Sequence, residues 1–209
     1  MIIHGLVPDT RRPGSTRVLV GGRPAWTVPA DVVTALGLQE GGILSGDAVA
    51  RLDAAAEEEG AVRSALRSLE RRAHGCVELA RKLERKGHAA SAVEAALVRL
   101  GGLGLLDDLA FARAYAAARN SRGRGPERLR HDLRLLGVPQ ELIRQALAEL
   151  ESGVDDPMAQ PLALARKRAA QLGGLSAEAR RRRLAAYLAR RGFRGSEVRG
   201  VLESVLREG

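Results

Sequence analysis

Five groups of residues in this chain are of types and spacings that could do chemistry. The acidic pair Asp107-Asp108 has the makings of a general acid and base, or of two metal ligands, yet either role needs converging partners. Upstream the nearest histidine is His88. At the start of a helix the pair has a structural use, one carboxylate capping the first amides and the other placing negative charge in the first turn. The stretch Gly101-Gly102-Leu103-Gly104 matches a nucleotide loop in spacing only: position 107 is Asp where a dinucleotide fingerprint needs Gly, and no Gly-Lys-Ser or Gly-Lys-Thr occurs. His4, His74, His88 and His131 lack metal-ligand spacing. The one cysteine, Cys76, permits neither an internal disulfide nor a multi-cysteine zinc site. The expectation is a protein that is not an enzyme, with no catalytic, cofactor-binding or metal-ligating residues.

The fifth group is basic. The formal net charge is +9, and it is unevenly placed: residues 1–157 hold 22 Lys/Arg against 21 Asp/Glu, residues 158–209 hold 12 against 4. The run Arg180-Arg181-Arg182-Arg183, followed by Arg190 and Arg191, dominates that last quarter. Four consecutive residues wrap a helix completely, so only part of the run can face one partner. These six arginines are the candidate contact to nucleic acid or a nucleoprotein. Aromatic residues make up only 2% of the chain, so any DNA contact is expected to be electrostatic, weak and non-specific, to single or double strands alike.

The elements that must position these groups follow from composition and period. With 45% hydrophobic and 28% charged residues over 209, the chain reads as globular and large enough for a core of its own. The N-terminal residues lack a signal peptide's basic start and apolar stretch, and no uncharged run approaches the roughly 18 residues of a membrane helix. A cytoplasmic protein without membrane contact is expected. In residues 1–46, Thr16–Val20, Gly21-Gly22 and Ala25–Val28 predict a β-hairpin, packed on Ala30–Leu38 through Val32, Val33 and Leu36. From Asp47 the apolar spacing is helical nearly to the end, broken at 101–104, 121–125, 152–157 and 173–174. Pro126, Pro139 and Pro157 are expected in first turns, and Asp107, Asp155 or Asp156, and Ser176 as caps.

An internal repeat organises the helical part. Leu79, Leu83, Gly87, Val93 and Leu97 recur at identical offsets as Leu129, Leu133, Gly137, Ile143 and Leu147, and again as Leu184, Leu188, Gly192, Val198 and Leu202. Two leucines four apart stripe one helix, the glycine allows the left-handed residue that ends it, and a second helix follows at once. Each unit has room for a preceding helix, near 48–73, 107–120 and 158–172. The expectation is a mainly α chain: three tandem three-helix repeats at 47–103, 104–152 and 153–209, forming an elongated, curved body.

These residues resemble the RecX family of recombinase regulators. Gly104-Leu105-Leu106-Asp107-Asp108 with Phe111-Ala112 is similar to the family's most recognisable stretch, and Arg122 to Pro126 with Arg128-Leu129, Leu133 and Gly137-Val138 to the segment after it. Arg72-Ala73-His74, Glu78-Leu79, Lys82-Leu83 and Lys86-Gly87 resemble the first repeat; Leu188, Arg191-Gly192-Phe193 and Val198 match the last more loosely. The hairpin and Gly37-Leu38 to Gly42 are similar to an N-terminal extension of some members. One departure is Gly75, where the family usually has a capping Ser. The resemblance implies a non-catalytic protein that lies in the groove of a RecA–DNA filament and inhibits ATP hydrolysis, strand exchange and co-protease activity, so modulating recombinational repair and the SOS response. It also marks Asp107, Asp108, Phe111, Gly125 and Gly137 as structural motif residues. A helix-turn-helix DNA-binding protein is the alternative, because a leucine-leucine-glycine turn before a short helix is also that motif's plan.

Overall fold

The computed structural model describes residues 1–208; Gly209, the last residue of the expected third repeat, lies outside them. The chain divides into two compact units. One comprises Met1–His74 and Glu78–Leu106; the other, Gly75–Val77 and the chain from Asp107 onward.

The first unit opens with an antiparallel sheet of three strands, β1 (Ile3–Pro8), β2 (Ser15–Val20) and β3 (Arg23–Pro29), in the order β1-β2-β3. The expected hairpin is β2 and β3 around Gly21-Gly22. The expectation of two strands is corrected to three: β1 pairs along β2 from Ile3 opposite Val20 to Pro8 opposite Thr16. An irregularity between Ile3 and Gly5 breaks the two-residue alternation by which a strand is read. Ile3, Val18 and Val28 are buried with Leu44 and Leu52, and Val32, Val33 and Leu36 pack on the same core from α1 (Ala30–Ala35) and the turn after it. That apolar backing is what a small sheet needs to be stable in water.

The long helix α2 (Gly46–Leu69) starts where the Ser45 hydroxyl accepts a hydrogen bond from the Ala48 amide at 3.1 Å. It ends four residues short of the expected boundary at 73. Trp26 Nε1 donates to Asp53 Oδ1 at 2.6 Å and ties β3 to this helix. Helices α3 (Cys76–Glu84) and α4 (Ala90–Gly102) complete the first repeat.

In the second unit, α5 (Asp108–Asn120), α6 (Pro126–Leu135) and α7 (Gln140–Ser152) close over Phe111, Leu129, Leu133, Ile143 and Leu147. The next three, α8 (Ala159–Ala169), α9 (Ala177–Arg191) and α10 (Ser196–Arg207), enclose Leu184, Leu188, Phe193, Val201 and Leu202. Ser176 caps α9 as expected, accepting from the Ala179 amide at 3.3 Å. Pro126 stands in the first turn of α6, whereas Pro139 is the residue flanking α7. Pro157 lies outside α8 altogether, in a turn braced by Asp156 Oδ1, which accepts from the Met158 amide at 2.8 Å. Its expected first-turn position is thereby corrected.

The repeat has one backbone signature. Gly87, Gly137 and Gly192 have φ of +90°, +84° and +93°, and the amide after each donates to the carbonyl of the second stripe leucine: His88 to Leu83 at 3.3 Å, Val138 to Leu133 at 3.1 Å, Phe193 to Leu188 at 3.1 Å. A left-handed residue closed by this six-residue bond ends a helix with its last carbonyls satisfied. All six leucines of the stripes are fully buried. Leu97 and Val198 are only half-buried, since in α4 and α10 the burial shifts to Leu100, Val201 and Val205.

Candidate nucleic-acid interface

Within the second unit the start of α6 abuts the end of α9. The Gly125 amide donates to the Arg191 carbonyl at 2.7 Å, and the Glu127 amide to the Gly192 carbonyl at 3.1 Å. The first amides of a helix and the last carbonyls of another are the groups that lack partners within their own helices, and here each set satisfies the other. The approach needs two glycines. A Cβ on Gly125 would stand 2.8 Å from the Gly192 carbonyl, and one on Gly192 would stand 2.5 Å from Arg128 Cβ.

This junction floors a groove of about 810 Å³. Arg122 and Arg124 line it from the α5–α6 loop, and Arg128, Arg130 and Arg134 from α6. Arg190, Arg191 and Arg194 come from the end of α9 and the turn beyond. His131 also lines it, and Glu127 is the one acidic residue to do so. Asp132, buried beneath, orients two of the guanidiniums: Arg128 Nε lies 3.1 Å from its Oδ1, and Arg124 pairs with its other oxygen. Arg130 pairs with Glu127. Arg191 is held across the junction, its Nη1 donating to the carbonyls of Arg122 at 3.1 Å and Gly123 at 3.3 Å. Arg122, Arg128, Arg134, Arg190 and Arg194 are exposed. Eight guanidiniums around one cleft create a field suited to a chain of phosphates.

The expected basic residues divide on this geometry. Arg190 and Arg191 line the groove; Arg180 to Arg183, two turns earlier on α9, do not. Arg181, Arg182 and Arg183 are exposed, Arg182 pairs with Glu178 at 2.6 Å, and Arg180 is half-buried. The six further groove arginines escaped the sequence reading. For five of them the signal was present locally: residues 122–134 hold five arginines against Glu127 and Asp132, and a sum over residues 1–157 cancels them; the sixth, Arg194, lies in the basic last quarter.

The motif carboxylates have structural partners. Asp107 Oδ1 accepts from the amides of Leu109 and Ala110 at 2.8 and 2.9 Å, capping α5. Asp108 stands in the first turn of α5 and also reaches α3, where its Oδ1 accepts from the Cys76 amide at 2.7 Å. It thereby supplies from a distance the acceptor that Gly75 cannot. Burial first, and the nearby Asp108 charge second, push the Cys76 thiol up to about 11, far from a reactive thiolate. Phe111 is buried, tilted against Tyr115 with ring centroids 6.0 Å apart. Gly137 brings its turn against Val77, whose Cβ would lie 2.5 Å from an added side chain. Among the described residues, no group of three His, Cys, Asp or Glu is placed to hold a metal ion, and no helix is long and apolar enough to cross a membrane.

Comparison with known proteins accounts for most of the helical part. Family models match the first three-helix domain of RecX at residues 61–100, the second at 107–147 and the third at 156–202. The regulatory protein RecX of Halorhodospira halophila is 38% identical over 150 residues, covering 71% of this chain and 90% of that one. That of Prosthecochloris aestuarii is 38% identical over 136 residues, or 65% and 86% of the two chains. A crystal structure of a regulatory protein RecX superposes with a TM-score of 0.80 at 23% identity, covering 97% of this chain and 98% of that one. RecX from Lactobacillus salivarius gives 0.63 at 18% identity over 71% and 96%. The repeats, the motif and the relatives agree, and this chain belongs to the RecX family of regulatory proteins.

Proposed function

We propose that this chain is a non-enzymatic regulator that binds the RecA–DNA filament and inhibits its ATPase, strand-exchange and co-protease activities, with the arginine groove between α6 and α9 facing the DNA backbone. The groove carries the reading: eight arginines and one glutamate line a single cleft held rigid by a backbone junction. Membership of a family of regulatory proteins supports it, as does the use of both motif aspartates as helix caps rather than as a converging pair. The helix-turn-helix alternative is less well served. There the helix after the turn reads base edges, but on α7 Arg144 pairs with Glu141 and Gln145 donates to Glu149, α10 sets Glu197 and Glu203 beside Arg199 and Arg207, and the groove's arginines lie on α6, α9 and their loops.

The test is ATP hydrolysis by RecA on single-stranded DNA, with the purified chain added. Inhibition that grows with its concentration, with no turnover of ATP by the chain alone, is the expected result. Unchanged hydrolysis at concentrations where the chain is seen bound to the filament would refute the inhibitory role.

A further inference from the structure

Beside the arginine groove lies a second cavity of about 580 Å³ that shares Arg122 and Arg191 with it. Tyr187 lines this cavity, half-buried, with its inner side packed on the third-repeat core. Two guanidiniums attend its ring: Arg191 Cζ is 5.1 Å and Arg168 Cζ 5.9 Å from the centroid. Arg168 is held by Gln171, whose Oε1 accepts from Nη1 at 2.7 Å, while its Nε is enclosed without a hydrogen-bond partner. Lys167 and Gln160 complete the polar wall.

We infer that Tyr187, flanked by Arg168 and Arg191, is a stacking platform for one base of a single-stranded DNA whose phosphates run on into the arginine groove. A tyrosine face and guanidinium planes are both surfaces on which unpaired bases stack, whatever their identity. Arg122 and Arg191 border both cavities, so a strand with a base at Tyr187 has its next phosphates beside the groove's cations. A duplex, with its bases already stacked on one another, gains nothing from the ring. The site thus favours single strands over the backbone attraction that serves both forms. One ring suffices for one nucleotide, so a chain with 2% aromatic residues can still hold such a site. The inference rests on the groove facing DNA, as proposed above.

The test uses the full chain and two fluorescent probes, an oligothymidylate of about 20 nucleotides and an abasic strand of equal length. Tyr187→Leu keeps an apolar side chain against the core but removes the π face; Tyr187→Phe keeps both. Loss of base stacking should weaken oligothymidylate binding by Tyr187→Leu about five- to 150-fold, leave the abasic strand unaffected, and spare Tyr187→Phe. The salt slope should not change, because no charge is removed. Wild-type affinity in Tyr187→Leu, or an equal loss for both probes, would overturn the inference, the latter because the ring would then only prop the arginines. If the wild type binds neither strand yet inhibits the filament, this site falls and the regulatory reading stands. A Tyr187-dependent preference for oligothymidylate without filament inhibition would uphold the site and overturn the regulatory reading.

Discussion

Removing equal charge from two places on the same repeat separates the groove from mere basicity. In one triple variant Arg130, Arg134 and Arg190 become Gln; in the other, Arg181, Arg182 and Arg183 do. Both lose three positive charges, but only the former set lines the groove. If each groove guanidinium neutralises one phosphate of a single strand, at about 0.7 per phosphate the log–log salt slope becomes shallower by about 2. Over a rise from about 50 to about 200 mM salt, the wild type then loses about 18-fold more affinity than the groove variant. Stability should move little, since Arg134 and Arg190 are exposed, substitutions of a kind that cost within about half a kcal/mol each, and half-buried Arg130 adds the loss of its pair with Glu127, up to about 1 kcal/mol. Fluorescence anisotropy across the salt series, with thermal melts and RecA ATPase inhibition in parallel, reads all three quantities. Equal slopes for the two triple variants, with both folded, would refute the assignment of the groove. The basic residues would then act only as a diffuse field.

Other substitutions probe the scaffold. Gly192→Ala should destabilise far more than Gly87→Ala by thermal melting: both force a side chain into φ near +90°, worth about 1 to 2 kcal/mol, but only at Gly192 does the new carbon also strike a neighbouring backbone. Asp108→Ala should cost about 0.5 to 2 kcal/mol in chemical denaturation by removing the acceptor of the Cys76 amide, and Asp108→Asn should restore part of it. Acid should destabilise the fold through His74. Its Nδ1 is 2.9 Å from Glu78 Oε2 and its Nε2 3.3 Å from Lys82 Nζ, an arrangement that suits a neutral ring donating to one and accepting from the other. Burial, more than the opposing pull of Glu78, holds its pKa below the ordinary value of about 6.5. The unfolded chain takes up that proton first, so His74's contribution is complete above about 6.5 and lost as pH falls through and below it. The melting temperature should therefore drop between about pH 7 and 5, and His74→Gln should flatten part of that drop; identical pH profiles would remove His74 from the account.

Legibility in the sequence followed the range over which each feature is encoded. The three stripes and their glycines could be read because helix period and the left-handed turn are local demands, met within nine residues from Leu129 to Gly137 and again from Leu184 to Gly192. The strand Ile3–Pro8 was missed because its irregularity at Gly5 spoils the alternation that marks a strand. Half the purpose of Asp108 was hidden for another reason: its acceptor bond goes to Cys76, 32 residues away. The groove was legible only in part, since Arg190 and Arg191 stood out in a basic segment whereas the arginines of 122–134 sit among acids. No sequence window shows the two sets side by side; the glycine contact of Gly125 with Gly192 does.

That contact also bears on how the chain can be cut. A fragment ending after residue 152 would keep the whole apolar interior of its middle repeat, yet the amides of Gly125 and Glu127 would lose the carbonyls they now meet. A fragment starting after residue 152 would strand the carbonyls of Arg191 and Gly192 in the same way. In either fragment these groups open to water, which can satisfy them, so what is lost is the net worth of each bond, about 0.5 to 1.5 kcal/mol, together with the packing around it. The middle and last repeats are therefore not interchangeable beads, and swapping, deleting or duplicating one of them would have to rebuild this seam. The turn at 153–158 lies outside every helix, but Val154 and Pro157 line a cavity with Pro126 and Phe193 beside the seam, so lengthening the chain there is best confined to Asp155 and Asp156.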